Sequence, residues 1–159
     1  MLHILPCLEY KINSTKSPED ISTVLKSVTA PERGMSYNPT NTEFFGEINL
    51  SDFKIMSNIN YRNSFSPVIV GNIRVEGERS VIEIKMCLHW FVRIFLSCWF
   101  GMAGFFFLIG LLYVLIEGIS EALLLLLATM FLIFGQTLAR SAFYIPAKKA
   151  IVRLEELLK

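Results

Sequence analysis

The sequence predicts an α+β protein: a small antiparallel sheet with one amphipathic helix, followed by a two-helix transmembrane hairpin and a C-terminal amphipathic helix. Three observations support this fold class. Two long apolar runs, residues 94–116 and 122–138, are separated by a short turn that contains two glutamates. Several short segments before them alternate apolar and polar residues as half-buried strands do. One early segment has its apolar residues at helical spacing.

The two apolar runs have the lengths of membrane-spanning helices. The run 94–116 has 23 residues and no charge, and about 20 apolar residues cross a bilayer core of roughly 30 Å. The run 122–138 has 17 residues, close to the short limit of about 17. A buried hairpin of a soluble protein is the alternative, but the rest of the chain is too short to bury both runs. We predict transmembrane helices over residues 89–116 and 122–143, with an external turn over residues 117–121.

Basic residues flank the two apolar runs only at the ends that lie away from the connecting turn. They lie before the first apolar run and after the second, whereas the turn has none: Lys85, Arg93, Arg140, Lys148, Lys149 and Arg153. Lysine and arginine next to membrane segments stay in the cytoplasm. We therefore expect a multi-pass protein of the inner (plasma) membrane with both termini in the cytoplasm.

The bulk composition excludes some classes of partner. Hydrophobic residues make up 53% of the chain and the mean hydropathy is +0.49, and the hairpin accounts for both values. The net charge of +1 gives no global field that attracts nucleic acid, so we expect no nucleic-acid partner. The three cysteines show no CxxC spacing, and in a cytoplasmic domain we expect them to be free buried thiols.

The cytoplasmic domain, residues 1–88, begins with a strand over residues 2–12 and then a helix. Ser17 is a plausible N-cap, Pro18 suits the first helical position, and Asp20 completes a capping arrangement at the positive end of the helix dipole. The apolar face of this helix consists of Ile21, Val24, Leu25 and Val28.

Four further strands are predicted after a long loop over residues 29–42. They occupy residues 43–50, 53–56, 68–75 and 81–88. In the last strand one face is apolar and the other mixed, as a half-buried antiparallel strand requires; the apolar face holds Ile82, Ile84, Met86 and Leu88. We expect the amphipathic helix to cover the apolar face of the sheet.

The sheet and the first membrane helix are separated by only residues 89–93. Trp90 suits the aromatic belt of a membrane, and Arg93 can extend its guanidinium to the headgroups. The sheet should therefore lie close to the membrane, where a movement of the sheet is felt by the helix.

After the hairpin, Pro146 is expected to break the helix or to start a new one. Residues 144–159 then predict a cytoplasmic amphipathic helix, whose apolar side holds Ala147, Ala150, Ile151, Leu154, Leu157 and Leu158. Three placements stay open: on the membrane, on the cytoplasmic domain, or against copies of itself.

No enzyme motif occurs. The chain has two histidines, His3 and His89, and lacks HExxH, P-loop, GxGxxG and nucleophile-elbow patterns, so we expect neither catalysis, nor a metal, nor a cofactor. The best ligand-binding candidates lie in one loop between strands: Tyr61, Arg62, Asn63 and Ser64. Arginine and tyrosine can hold a phosphate or a base. A purely structural loop, with Phe65 anchored in the core, is the favoured alternative.

Small residues mark one face of each membrane helix. Ser97, Gly101 and Gly104 share a face of the first helix, and a second set lies on the other helix: Ala128, Gly135 and Ala139. Small residues let helices approach closely, so these faces should pack on each other or on another subunit. Gln136 needs a hydrogen-bond partner across a helix contact, or it lines a pore, which would require an oligomer.

Four segments resemble a known group of proteins: residues 45–48 (FGEI), 53–55 (FKI), 59–73 (INYRNSFSPVIVGNI) and 82–89 (IEIKMCLH). They are similar to small uncharacterised bacterial membrane proteins with a β-rich N-terminal domain and a two-helix transmembrane hairpin. The most specific part is the loop YRNSFSP. The resemblance covers the chain from about Phe45 to the end of the hairpin, implies a bacterial inner-membrane location, and assigns no functional residues.

Two functions fit these observations. The first is an inner-membrane protein without catalysis, whose cytoplasmic domain binds a protein partner or self-associates into a homo-oligomer. The second is a ligand-gated effector, whose domain senses a small or nucleotide signal and whose oligomeric hairpin opens the membrane; bacterial defence effectors have this layout, by analogy only. The largely apolar helices favour the first function, whereas the short connection and Gln136 favour the second.

Overall fold

The computed structural model describes residues 5–31, 42–58, 64–77, 79–119 and 122–159. Within these residues the chain forms a mixed α+β fold of six strands and three helices, as the fold class predicted. In chain order they are β1 (Cys7–Ser14), α1 (Pro18–Val28), β2 (Thr29–Ala30), β3 (Phe44–Ile48), β4 (Asp52–Ser57), β5 (Val68–Glu76), β6 (Arg79–Cys87), α2 (Trp90–Glu117) and α3 (Leu123–Leu158).

The six strands form one sheet in the order β1-β6-β5-β4-β3-β2. All neighbours are antiparallel except β2 and β3, which pair in parallel through Thr29 with Phe44 and Ala30 with Phe45. The expectation of a purely antiparallel sheet is therefore corrected: the start of the segment predicted as a loop is a short strand. The reason is that the backbone becomes extended at the C-cap of α1, Thr29, which places it along the edge of β3.

One face of the sheet forms the core under α1. The hydroxyl of Ser17 accepts a hydrogen bond from the Asp20 amide at 3.1 Å, so the predicted helix start is confirmed. Ile21 and Leu25 on α1 are fully buried. The alternation predicted for β6 is also confirmed, because its apolar side chains are all buried: Ile82, Ile84, Met86 and, just beyond the strand, Leu88.

The opposite face of the sheet, called the outer face here, is charged. Lys11 contacts Glu83 at 2.6 Å and Lys85 contacts Glu9 at 3.0 Å, across β1 and β6. Arg74 on β5 also approaches Glu83, at 3.6 Å. Such exposed pairs contribute little stability, so their main effect is to keep this face solvated.

Two of the three cysteines are linked on this outer face. Cys7 and Cys87 are directly opposed across β1 and β6, with Cα atoms 4.4 Å apart, and form a disulfide. Cys98 is free but exposed. The expectation of free buried thiols is therefore corrected for this structure, in which Cys7 and Cys87 are paired and Cys98 is exposed. The sequence gives no sign of the pair because the two cysteines are 80 residues apart, and only the strand register brings them together.

Helix α3 is continuous from Leu123 to Leu158 and contains Pro146, so the expected break and the separate C-terminal helix are absent. An internal proline costs a helix about 3 kcal/mol. That cost is offset by burial, because Phe143, Leu154 and Leu158 are fully buried against the sheet core, and each such side chain contributes roughly 1.5–3 kcal/mol. Of the three placements left open, the structure shows packing on the sheet domain.

Helices α2 and α3 have 28 and 36 residues, and by length and composition both could cross a membrane. They pack side by side in opposite directions: Gly110 lies against Leu125, and Gly135 lies against Trp99. Only 11% and 17% of their most apolar windows are buried, unlike the core helices of a soluble protein.

Candidate functional site

A cavity of about 930 Å³ lies between the outer face of the sheet and the first three turns of α2. Both charged and apolar side chains line it. The lining residues are Leu5, Pro6, Cys7, Glu9, Lys85, Cys87, Arg93, Ser97, Phe100 and Gly101. The volume is within the range of about 300–1,000 Å³ that is typical of ligand pockets.

The strand register and the start of α2 together build this cavity. Glu9 pairs with Lys85 in the same register that opposes the two cysteines, so all four side chains lie on the outer face. Helix α2 starts at Trp90, three residues after β6 ends. His89 caps the helix, because its ring Nδ1 accepts a hydrogen bond from the Phe91 backbone N–H at 3.4 Å. This short connection sets the first turns of α2 beside the outer face.

The residues that α2 contributes follow helical spacing. Arg93, Ser97, Phe100 and Gly101 are at i, i+4, i+7 and i+8, which places them on one side of the helix. Val92 and Leu96 on another side are buried in the core. Near its start the helix therefore places Arg93, Ser97 and Gly101 beside the cavity together with Phe100, while Val92 and Leu96 pack into the core.

The cavity has an excess of positive charge. Lys85 is paired with Glu9 at 3.0 Å, whereas Arg93 forms no ion pair with any residue that the structure describes. One carboxylate against two cations leaves a net charge of +1 among the lining residues. A guanidinium without a protein partner is suited to a phosphate or a carboxylate.

The small residues predicted on α2 do not contact α3. Ser97 and Gly101 are exposed and Gly104 is half-buried. A Cβ atom added to Gly101 or to Gly104 would meet nothing within 4 Å. Because Gly101 lines the cavity and Gly104 is the next small residue along the same side, they leave an uncovered strip of helix surface, called the groove here, that leads away from Arg93 along α2.

The contact between α2 and α3 instead uses the small residues predicted on α3. Ala128, Gly135 and Ala139 are all buried. On α2 the close approach occurs at Gly110, where an added Cβ would lie 2.8 Å from the Leu125 backbone nitrogen, and at buried Ala103. The sequence reading missed these two residues, although their seven-residue spacing is itself a sign of a shared helix face.

Gln136 is half-buried and interacts within its own helix. With its amide oxygen facing the guanidinium, it accepts hydrogen bonds from Arg140 Nε at 2.9 Å and Nη2 at 3.0 Å. No partner on α2 is found for Gln136 among the described residues. This pairing also fixes Arg140, one turn further along α3, at the end of the apolar stretch.

Most of the predicted ligand loop lies outside the described residues: Tyr61, Arg62 and Asn63 are not described. Ser64 is described and is exposed in a turn. Phe65 packs partly buried against the core. Ser64 precedes β5 in the sequence, whereas Lys85 follows it, and Ser64 is not among the residues that line the cavity.

The end of α3 is held to the sheet domain by polar contacts. Arg153 donates to both carboxylate oxygens of Glu43, each at 2.6 Å. The Tyr10 hydroxyl donates to Glu155 at 2.6 Å, and Lys16 Nζ donates to the Leu157 carbonyl at 2.7 Å. The hydrogen bonds from Arg153 lower the pKa of Glu43. Together these contacts make α3 part of the sheet domain as well as of the apolar helix pair.

Neither a metal cluster among the described residues nor a match to a known family or curated protein is found. Across the described ranges, no three side chains of the metal-binding types His, Cys, Asp and Glu come together. Comparison with the models of known protein families and with curated proteins finds no match to this chain.

Proposed function

We propose that the protein is an integral membrane protein in which α2 and α3 form a transmembrane hairpin. The hairpin anchors a cytoplasmic α+β domain that binds a protein partner or self-associates, without catalysis of its own. As the resemblance of its strands implies, the membrane is the inner membrane of a bacterium. The single observation that supports this proposal best is the exposed apolar surface of the helix pair.

That surface is confined to the two helices. Large apolar side chains point outwards throughout residues 94–138; Phe105 is 62% exposed, Leu115 73% and Phe134 63%. Before Trp90, the described residues include just three exposed large apolar side chains, Leu50, Val70 and Val75. An apolar surface this extensive marks contact with lipid or with another protein, and its presence on all outward sides of both helices favours lipid.

The arginines support a defined depth in the bilayer. Arg93 precedes Trp99 by six residues and Arg140 follows Gly135 by five; because Trp99 packs on Gly135, the two arginines lie at one level. From there, the 23 uncharged residues 94–116 rise by about 34 Å at 1.5 Å per residue. This length matches a hydrocarbon core of roughly 30 Å with a modest tilt.

The basic flanks and the disulfide favour opposite compartments. Lys85, Arg93 and Arg140 lie at the sheet end of the helices, which favours a cytoplasmic sheet domain. Disulfides are rare in the cytoplasm. We give the charges priority, because they act during insertion, and expect the Cys7 and Cys87 pair to be reduced to thiols in the cell. Alkylation of intact cells, followed by mass analysis, distinguishes the two orientations.

Extraction of membranes at alkaline pH tests the anchor. We expect the protein to stay in the membrane pellet. A Phe105→Arg variant places a charge at the middle of the apolar run 94–116 and should be found partly in the soluble fraction, because a central arginine costs about 2.5–3.5 kcal/mol. Leu50→Arg, an exposed position on the sheet domain, is the matched control and should pellet like the wild type. Release of the wild-type protein would contradict the proposal.

A second candidate function is a ligand-gated membrane effector. The observation that favours it is the continuity of α3, which runs from the apolar pair into the core of the sheet domain without a break. Helix α2 likewise starts three residues after β6. A ligand that shifts the sheet would therefore move both helices, and an oligomer of hairpins would be needed to form a pore.

A further inference from the structure

The cavity beside α2 lies at the depth of lipid headgroups if α2 and α3 span the bilayer, the proposed function on which this inference rests. Arg93 and Arg140 mark that depth, and Trp90, which is 63% exposed, lies one turn before Arg93. Tryptophan and arginine are the residues that locate a membrane interface. The open side of the cavity therefore meets the headgroup layer rather than bulk water.

We propose that this cavity binds one anionic phospholipid. The headgroup phosphate contacts Arg93, and an acyl chain lies in the groove on α2 that Ser97, Gly101 and Gly104 form. The lining includes both kinds of group that such a molecule needs: the cations of Lys85 and Arg93, and the apolar residues Leu5, Phe100 and Gly101.

The charge of the cavity selects the headgroup. Lys85 is neutralised by Glu9, so Arg93, which has no ion-pair partner among the described residues, sets the sign of the charge. A phosphodiester accepts two parallel hydrogen bonds from a guanidinium. A choline headgroup would bring its own cation next to Arg93 and Lys85, so a lipid with a net negative charge, such as phosphatidylglycerol, is favoured over a zwitterionic lipid.

The shape of α2 provides space for the chain. Gly101 and Gly104 have no neighbour within 4 Å of an added Cβ, so no part of the described protein fills the groove. Phe100 forms one wall beside it. The groove starts at Ser97, one turn from Arg93, and runs towards the bilayer centre, which is the direction in which an acyl chain extends from a bound phosphate.

A second copy of the chain is the competing occupant of this groove, because small residues also mark helix contacts. A twofold contact across this face would bring the same unpaired arginine of both copies together. Like charges that approach in a low-dielectric layer are repelled. The lipid phosphate neutralises Arg93, whereas a second copy would double the charge, so the lipid is favoured.

Native mass spectrometry of the purified full-length protein, titrated with phosphatidylglycerol or phosphatidylcholine, tests this site. We expect the wild type to retain one phosphatidylglycerol per chain, with weaker binding of phosphatidylcholine. Arg93→Gln should lower phosphatidylglycerol affinity roughly tenfold, since a hydrogen bond to a charged group is lost. Arg140→Gln is the matched control: it removes an arginine at the same depth but outside the cavity, and should keep the wild-type affinity.

A second variant tests the groove separately. Gly101→Leu fills the path of the acyl chain and should lower lipid affinity while leaving the protein in the alkaline-washed membrane pellet. Equal lipid affinities for Arg93→Gln and Arg140→Gln would overturn the proposal. A changed oligomer mass for Gly101→Leu with unchanged lipid binding would also overturn it, because that result would assign the groove to a second copy of the chain. Loss of the wild type from the pellet would instead refute the membrane anchor itself, and this lipid site with it.

Discussion

At the scale of single residues, the contact between Arg153 and Glu43 is one of the polar contacts that hold α3 on the sheet domain. The guanidinium donates to both oxygens of the carboxylate at 2.6 Å and also to Glu156 at 2.9 Å. Both partners are more than a third exposed, so solvent weakens the attraction. The two-pronged geometry nonetheless fixes one orientation of α3 on the start of β3, which a single charge–charge contact would not do.

This contact predicts a specific pH dependence of stability. Hydrogen bonds from Arg153 hold the pKa of Glu43 below its usual range. A depressed carboxyl pKa stabilises the folded state above the unfolded pKa of about 4.3, and that contribution is lost as the pH falls through the lower folded value. In detergent, Glu43→Gln should therefore lower Tm at neutral pH, and its deficit relative to the wild type should shrink in acid.

The control for this prediction is Glu156→Gln, which removes the other partner of Arg153 and keeps the Glu43 contact. Its Tm deficit should be smaller than that of Glu43→Gln at neutral pH, because it removes one hydrogen bond instead of two. A deficit for Glu43→Gln that stayed constant from neutral to acid pH would show that the carboxylate is not stabilised by Arg153.

At the scale of elements, the disulfide joins the first strand to the last. β1 and β6 are neighbours in the sheet although 80 residues separate the paired cysteines. Closing a loop of this length restricts the unfolded chain and stabilises the fold by about 4 kcal/mol in the chain-entropy account. Because β6 continues directly into α2, this link also fixes the sheet at the point where the helix begins.

We therefore expect reduction of the disulfide to lower the Tm of the oxidised protein in detergent. Cys7→Ser should have a low Tm that a reductant does not change further, and Cys98→Ser should respond like the wild type because Cys98 is free. Thermal unfolding with and without reductant measures both, with the thiol state checked by mass. An unchanged Tm after complete reduction would show that the strand pairing alone holds the two ends together.

Elements defined by local signals could be predicted from the sequence, and those that depend on distant contacts could not. Helix α1 has its cap at Ser17 and its apolar face in adjacent turns, and β6 shows its alternation within nine residues. The pairing of Cys7 with Cys87 depends on register across the whole domain. Pro146 is a strong local stop signal, and only burial of the following turns on the sheet overrides it.

The candidate site shows the same division. The stripe of Ser97, Gly101 and Gly104 is visible from helical spacing, but the sequence could not show what it faces. In the structure the stripe lies open, with its first two residues lining the cavity, because the contact with α3 is formed by another side of α2, at Gly110. The choice between two faces of an apolar helix depends on the relative rotation of the two helices, which short-range patterns do not encode.

At the scale of the whole molecule, the two proposed functions differ in whether the helix pair conducts ions or only anchors the sheet domain. Two helices cannot enclose a pore, so conduction requires several copies arranged around an axis. Gln136, the polar group nominated for a pore lining, is bonded to Arg140 on its own helix. Apart from Ser97, Tyr113 and Thr137, the exposed side chains of α2 and α3 between the arginines and Glu117 are apolar, which suits lipid better than water.

We accordingly expect liposomes that contain the purified protein to show no ion flux above that of empty liposomes, whatever the mass of the particle in detergent. Gln136→Leu should leave this baseline unchanged, since it removes one contact within α3 and opens no path. A closed oligomer that conducts, and that loses conduction in Gln136→Leu but not in Thr137→Val, would instead establish the gated effector. Thr137→Val removes a hydroxyl at the exposed neighbouring position. The comparison is decisive because both variants remove a polar side chain at nearly the same depth, and of the two residues only Gln136 is predicted from the sequence to face a pore.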